Sequence, residues 1–220
     1  FNHYMANLKS LAKDTAIYGL SSIVGRFLNY LLVPLYTHVI SAANGGYGIV
    51  TNLYGYVALL LVILVFGMET TFFRFANNEN ERPNEVFCNA MLIIGTLVGI
   101  FLAIIFGGIE PISQWLGYSE HPEYIQIMAS IVALDALQAI PFSFLRFQKR
   151  AIKFASLKLL FIILNISLNL LYFVVLGHTD VFYIFMLNLV CTSIITFFFL
   201  PELVKMKWQI NMQLLRRMLS

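Results

Sequence analysis

Along this chain the apolar positions gather into six long stretches, and the charged residues fall almost entirely between them. The stretches run from Thr15 to Ile40, Gly46 to Phe73, Val86 to Ile109, Tyr124 to Leu145, Ser156 to Gly177 and Val181 to Leu200. A membrane-spanning helix needs about 20 predominantly apolar residues at about 1.5 Å of rise each, so all six qualify. The pattern predicts an all-α, polytopic membrane helix bundle of six transmembrane helices, because only helices and closed barrels satisfy their backbone within lipid. The first stretch is read as a permanent helix rather than a cleaved leader. Its apolar core is longer than the about 7–15 residues of a signal peptide, and no small-residue cleavage pattern stands out near Ile40.

The connections carry their own punctuation. Ser41-Ala42-Ala43-Asn44-Gly45-Gly46 is a small, Gly-rich turn that makes the first two spans a tight antiparallel hairpin. Asn77 to Glu85 is a charged loop, read as a solvated linker. Gly107-Gly108-Ile109-Glu110-Pro111 leads to Trp115 and Tyr118, which suit an interfacial segment at headgroup depth. The expected organisation is a six-helix lobe over residues 1–200, made of three helical hairpins, followed over 201–220 by a basic amphipathic linker. Both ends of the chain read as cuts in a longer polypeptide.

Composition agrees with a bilayer environment: 60% of the residues are apolar and 11% charged, with a mean hydropathy of +0.80, against about 45–50% and about 25% in soluble domains. The net charge of +3 points to orientation rather than to nucleic acid. Lys9 and Lys13 precede the first span; Arg74 and Arg82 follow the second. Arg146, Lys149, Arg150 and Lys153 follow the fourth, with Lys158 at the start of the fifth, and Lys205, Lys207, Arg216 and Arg217 follow the sixth. Arg26 stands apart, inside the first span. The opposite loops contain no Lys or Arg, so the positive-inside rule predicts that both termini are cytoplasmic.

Little in the chain speaks for an enzyme or a metal site. Cys88 and Cys191 lie within spans and read as buried free thiols. The four histidines are terminal or near loops, without metal-ligand spacing, and the loop acids carry no companion motif. No catalytic residue and no cofactor are predicted.

Function is therefore sought in the polar residues that the spans tolerate, since a charge near the bilayer centre costs from about 2.5 to above 10 kcal/mol. Arg26 lies roughly 16 Å into the first helix, and Ser22 and Asn29 share its face. Asp135 and Gln138 are spaced i, i+3 in span four, one turn before Pro141. Lys158, Asn165, Asn169 and Tyr172 lie along span five. Glu69 and Arg74 sit near the end of span two. The bland alternative pairs Arg26 with Asp135 or Glu69 in an ion pair that only fixes packing, with the asparagines bonding neighbouring helices. Pro34 and Pro141 add helix bends of the kind that suit a cavity.

The segment from Leu11 to Arg26, LAKDTAIYGLSSIVGR, continuing to Leu32-Val33-Pro34-Leu35-Tyr36-Thr37, resembles the opening of bacterial oligosaccharide flippases. These are the Wzx-like members of the multidrug/oligosaccharidyl-lipid/polysaccharide (MATE-like) exporter superfamily. Tyr47-Gly48 and the run Gly67-Met68-Glu69-Thr70-Thr71-Phe72-Phe73-Arg74-Phe75 add to the resemblance. It implies a transporter of two six-helix lobes around a central cavity, of which this chain is the amino-terminal lobe and 201–220 the linker to the second. The implied substrate is an undecaprenyl-pyrophosphate-linked oligosaccharide. It is flipped to the outer leaflet of the bacterial cytoplasmic (inner) membrane by alternating access, for surface polysaccharide export.

The resemblance assigns Arg26 to the pyrophosphate, a role that suits the bidentate guanidinium. Asn29, Gln138, Asn165 and Asn169 are the further substrate-binding candidates. Asp135 and Glu69 are candidates for binding a coupling H+ or Na+, and Arg74, Lys149, Arg150 and Lys158 for an electropositive approach at the cytoplasmic face. Membrane lipids and the polysaccharide polymerisation machinery are the other expected partners. A cation-coupled multidrug antiporter of the same superfamily is the main rival, followed by a membrane-embedded glycosyltransferase and a purely structural subunit.

Overall fold

The computed structural model describes residues 16–19, 32–40 and 46–219. Helix α1 covers residues 32–39, and the described part of the chain then continues through α2 (Gly46–Val65), α3 (Met68–Ala76), α4 (Pro83–Gly107), α5 (Ile109–Leu116), α6 (Pro122–Phe147), α7 (Ala151–Asn169), α8 (Phe182–Lys205) and α9 (Met212–Leu219). No strand occurs among the described residues. Five spans among them are long and apolar enough to cross a membrane: Gly46–Ala76, Pro83–Gly107, Pro122–Phe147, Ala151–Val175 and Phe182–Val204. The expected first span is described only in part.

Three boundaries differ from the pattern of apolar residues. The second span is longer than expected, reaching Ala76, and it breaks where Phe66 (φ 46°) and Gly67 (φ 65°) enter the left-handed region. Glycine adopts that conformation without a Cβ penalty, and hydrogen bonds resume on both sides, Phe66 N to Val62 O at 3.1 Å and Thr71 N to Gly67 O at 3.1 Å. The interfacial segment after α4 is itself a helix, α5. Gly117 (φ 81°) ends it, with Tyr118 N donating to Ser113 O at 2.7 Å, the bond pattern of a Schellman cap. Finally, the linker divides. Residues 201–205 complete α8, with Pro201 inside the helix, and α9 folds back onto the bundle.

That folding back follows from one residue. Asn211 Oδ1 accepts from the backbone N–H groups of Gln213 (3.1 Å) and Leu214 (3.2 Å), so Asn211 caps α9. It also exchanges bonds with Asn89, whose Nδ2 donates to Asn211 O at 2.9 Å while Asn211 N donates to Asn89 Oδ1 at 3.2 Å. Leu214 and Met218 are buried, and Arg217 pairs with Glu81 at 2.7 Å.

Helix α6 is the axis of the molecule. It touches α2, α3, α4, α5, α7 and α8, and 61% of its most apolar stretch is buried, against 22–33% for the other spans. The outer helices leave large apolar side chains exposed, among them Val62, Ile100, Ile163, Val174 and Phe197. Such a girdle suits acyl chains as solvent. Polar contacts gather Arg82, Arg146, Arg150, Lys153, Lys207 and Arg217 at one end of the bundle, termed here the basic end. The opposite end carries α5, Tyr118, His121 and His178.

Candidate functional site

A cavity of about 630 Å³ opens in the half of the bundle nearer the basic end. One wall is α6, whose Asp135, Gln138, Phe142 and Arg146 recur at i, i+3, i+7 and i+11 and so form one stripe. Facing it, Phe154, Leu157, Lys158 and Phe161 of α7, at i, i+3, i+4 and i+7, form a second stripe. The break at Gly67 and the start of α3 bring Glu69 to the rim, and α8 contributes Ile195.

Four charges, two of each sign, face this space, and they are not equivalent. Glu69 and Arg146 form an ion pair, Oε2 to Nη2 at 2.7 Å. Ser143 Oγ bridges them, donating to Glu69 at 3.3 Å and accepting from Arg146 at 3.0 Å. The Arg146 guanidinium lies 5.3 Å from the Phe73 ring centre and 6.0 Å from that of Phe154, and its Nε is buried without an acceptor among the described residues. Lys158 has no carboxylate in ion-pair contact among the described residues; its Nζ stands 4.0 Å over the Phe142 ring. Asp135, half-buried, likewise makes no ion pair or hydrogen bond among the described residues. Gln138 is buried and committed to α8, donating from Nε2 to Thr192 O at 3.0 Å and to Thr196 Oγ1 at 2.8 Å.

This arrangement offers an ammonium set on an aromatic face and a carboxylate that acts on it electrostatically without an ion-pair contact, in a cavity that also holds Gln138 and the Glu69–Arg146 pair among apolar side chains. An anionic group can replace Phe142 as the partner of Lys158, and a cation or a proton can settle on Asp135. No group of three or more His, Cys, Asp or Glu able to hold a metal occurs among the described residues. Cys88 and Cys191 are free and buried.

The other sequence candidates lie elsewhere. Arg26 and Asn29 lie outside the described residues. Asn165 lines a second, smaller cavity toward the opposite end, and Asn169 is buried one turn further along α7. There Asn169 Nδ2 donates to Asn165 O (2.7 Å) and Asn165 Oδ1 (3.0 Å), while Tyr36 donates to Asn169 Oδ1 at 2.8 Å. Arg74 is exposed, its guanidinium 5.8 Å from the Phe75 ring centre. Lys149 and Arg150 line a separate surface groove with Lys153, where Glu202 holds Arg150 at 2.7 Å and Lys153 at 2.5 Å. Lys158 is thus apart from the other three residues expected at the cytoplasmic approach.

Arg146 and Ser143 are the site residues that the sequence reading did not single out. Arg146 counts there only toward orientation, yet it stands one helical turn from Phe142 on the Asp135 stripe. That i+11 relation to Asp135 was the available signal. No protein-family model, curated protein or solved structure matches the chain.

Proposed function

We propose that this chain forms one lobe of a transporter that flips a lipid-linked oligosaccharide, undecaprenyl-pyrophosphate-linked by resemblance, across a bacterial cytoplasmic membrane. The observation that carries the reading is the cavity ammonium of Lys158, which rests on Phe142 with no carboxylate in ion-pair contact among the described residues. A desolvated cation of this kind attracts phosphoryl oxygens, and an apolar wall beside it suits a substrate whose tail stays in lipid. Arg26, on the motif shared with the flippases, is the second phosphate ligand in this scheme. Glu69 holds Arg146 and keeps it out of direct competition, while Asp135 carries the coupling H+ or Na+. Arg74, Lys149 and Arg150 draw the anionic headgroup to the cytoplasmic face, and no covalent chemistry is involved. The polymerisation machinery receives the flipped product.

Asp135 favours one rival. An open carboxylate on a cavity wall is what a cation-coupled multidrug antiporter of the same superfamily uses for organic cations. Translocation of a fluorescent lipid-linked oligosaccharide in proteoliposomes separates the two, with Arg26→Ala, Lys158→Ala and Asp135→Asn beside the parent at matched folded expression. Loss of at least tenfold in both cation variants supports phosphate recognition. Efflux of a lipophilic cation that needs Asp135 but neither Arg26 nor Lys158 would replace the flippase with the antiporter. An unchanged oligosaccharide rate in Asp135→Asn across proton and sodium gradients removes that residue from coupling.

A further inference from the structure

The second cavity, about 270 Å³, lies in the half of the bundle away from the basic end, between α1, α2, α7 and α8. Lys158 and Asn165 both belong to α7, so the two cavities are offset by seven residues, roughly 10 Å along that helix. None of the nine described residues lining the smaller one carries a formal charge at neutral pH. Its walls are built by three tyrosines, Tyr36, Tyr47 and Tyr54, and by Asn165 and Asn188. The rings of Tyr36 and Tyr47 are stacked, with centres 6.0 Å apart.

The hydrogen bonds around this cavity leave some of its polar atoms unspent. Asn165 is 6% exposed, and its carbonyl oxygen accepts from Asn169 Nδ2. That bond fixes the amide plane, and the Asn165 NδH2 donates to nothing among the described residues while Asn165 lines the cavity. Tyr54 Oη accepts from Asn188 Nδ2 at 2.6 Å, and its own proton meets no acceptor among the described residues. Tyr36 has already donated to Asn169, Asn188 Oδ1 accepts from Thr192 at 3.3 Å, and Thr51 donates to Tyr47 O at 3.1 Å. The Asn165 amide and the Tyr54 hydroxyl are thus left as donors to the cavity, beside acceptor oxygens on Tyr36, Tyr47 and Thr51.

An apolar occupant leaves those donors unmet in a low-dielectric site. An anion finds no cation among the described residues. A cation is welcomed by ring faces but opposed by the positive ends of the Asn165 amide and the Tyr54 hydroxyl. What fits is neutral, bears acceptor oxygens and has flat C–H faces to lie against tyrosine. The volume falls below the about 300–1,000 Å³ of sites for drug-sized molecules, which sets the size at a single ring.

We infer that this cavity is a saccharide subsite, taking one neutral pyranose unit whose hydroxyl or acetamido oxygens accept from Asn165 and Tyr54. The inference rests on the flippase reading for its biological sense, and it adds the place of the sugar contact and the residues that make it. Its test uses the protein in nanodiscs, with methyl β-galactoside and methyl N-acetyl-β-glucosaminide as probes, read by saturation-transfer NMR. Choline and the open-chain mannitol serve as competitors, and inorganic pyrophosphate binding is measured in parallel with Lys158→Ala.

Saturation transfer to ring C–H protons is expected from at least one glycoside. Its affinity should fall about three- to tenfold in Asn165→Leu and in Tyr54→Phe, each compared at a temperature well below its own melting transition. Tyr54→Phe, which keeps the ring, decides the matter if Asn165→Leu does not fold. No glycoside signal, displacement by choline or mannitol, or glycoside binding indifferent to both variants overturns the inference. Pyrophosphate binding that depends on Lys158 without glycoside binding sinks the subsite and leaves the phosphate half of the flippase reading standing. The converse result sinks that half and keeps the subsite.

Discussion

At the scale of single residues, the polar groups inside this bundle divide into those that are satisfied and those that are not. Asn169 is the best satisfied, fully buried and bonded to both Tyr36 and Asn165. Interhelical polar pairs in membranes contribute about 0.6 kcal/mol on average and up to about 1.7. A double-mutant cycle of Tyr36→Phe with Asn169→Leu, followed by unfolding in detergent, should return a coupling in that range; no coupling would mean that the pair is not formed. Lys158 is the opposite case. Substituting Lys158→Ala removes little structural support beyond its contact with Phe142, about 0.5–1 kcal/mol or somewhat more when desolvated. Loss of oligosaccharide flipping without loss of fold is therefore the expected outcome, measured as rate against melting temperature. Glu69→Gln behaves differently, because it leaves Arg146 uncompensated. The pair is partly exposed, at 36% and 41%, so the expected destabilisation is about 1 kcal/mol rather than the about 3–5 of a fully buried pair.

At the scale of elements, two junctions shape the molecule. Gly67 lets the second span turn at φ 65° and places α3 against the cavity, and a Cβ added there meets nothing within 4 Å. The cost of Gly67→Ala is thus conformational alone, about 1–2 kcal/mol, visible as a lower melting temperature with cavity ligands still bound. The second junction is the docking of α9 on α4. Leu214 is fully buried, and Leu214→Asp places a carboxylate in that contact without a partner. Hydrogen exchange over 212–219 should then accelerate while the spans stay protected. Protection unchanged in Leu214→Asp would show that α9 is held by Asn89, Glu81 and Asn211 alone.

At the scale of the whole molecule, orientation is the property open to direct test. In a background of Cys88→Ala and Cys191→Ala, a cysteine at Asn80 and another at Ser119 should label from opposite sides of the membrane, with Asn80 reached from the cytoplasm. Labelling of both from one side would break the hairpin order. The contrast between sequence and structure is clearest at this scale. The five described spans were legible in the runs of apolar residues because each satisfies its own backbone and needs only length and hydropathy to form. The existence of Asp135, Gln138 and Lys158 as intramembrane polar groups was legible for the same reason, since charge in lipid is costly wherever it points. Their partners were not legible. Arg146 reads as one more basic residue at a helix end until α3 carries Glu69 beside it, and Asn165 reads as equivalent to Gln138 until the fold sends them to different cavities. Periodicity along one helix determines which residues share a face, whereas the rotation and crossing of neighbouring helices decide what that face meets. That second choice depends on side-chain packing between segments distant in sequence, so only the tertiary structure made it.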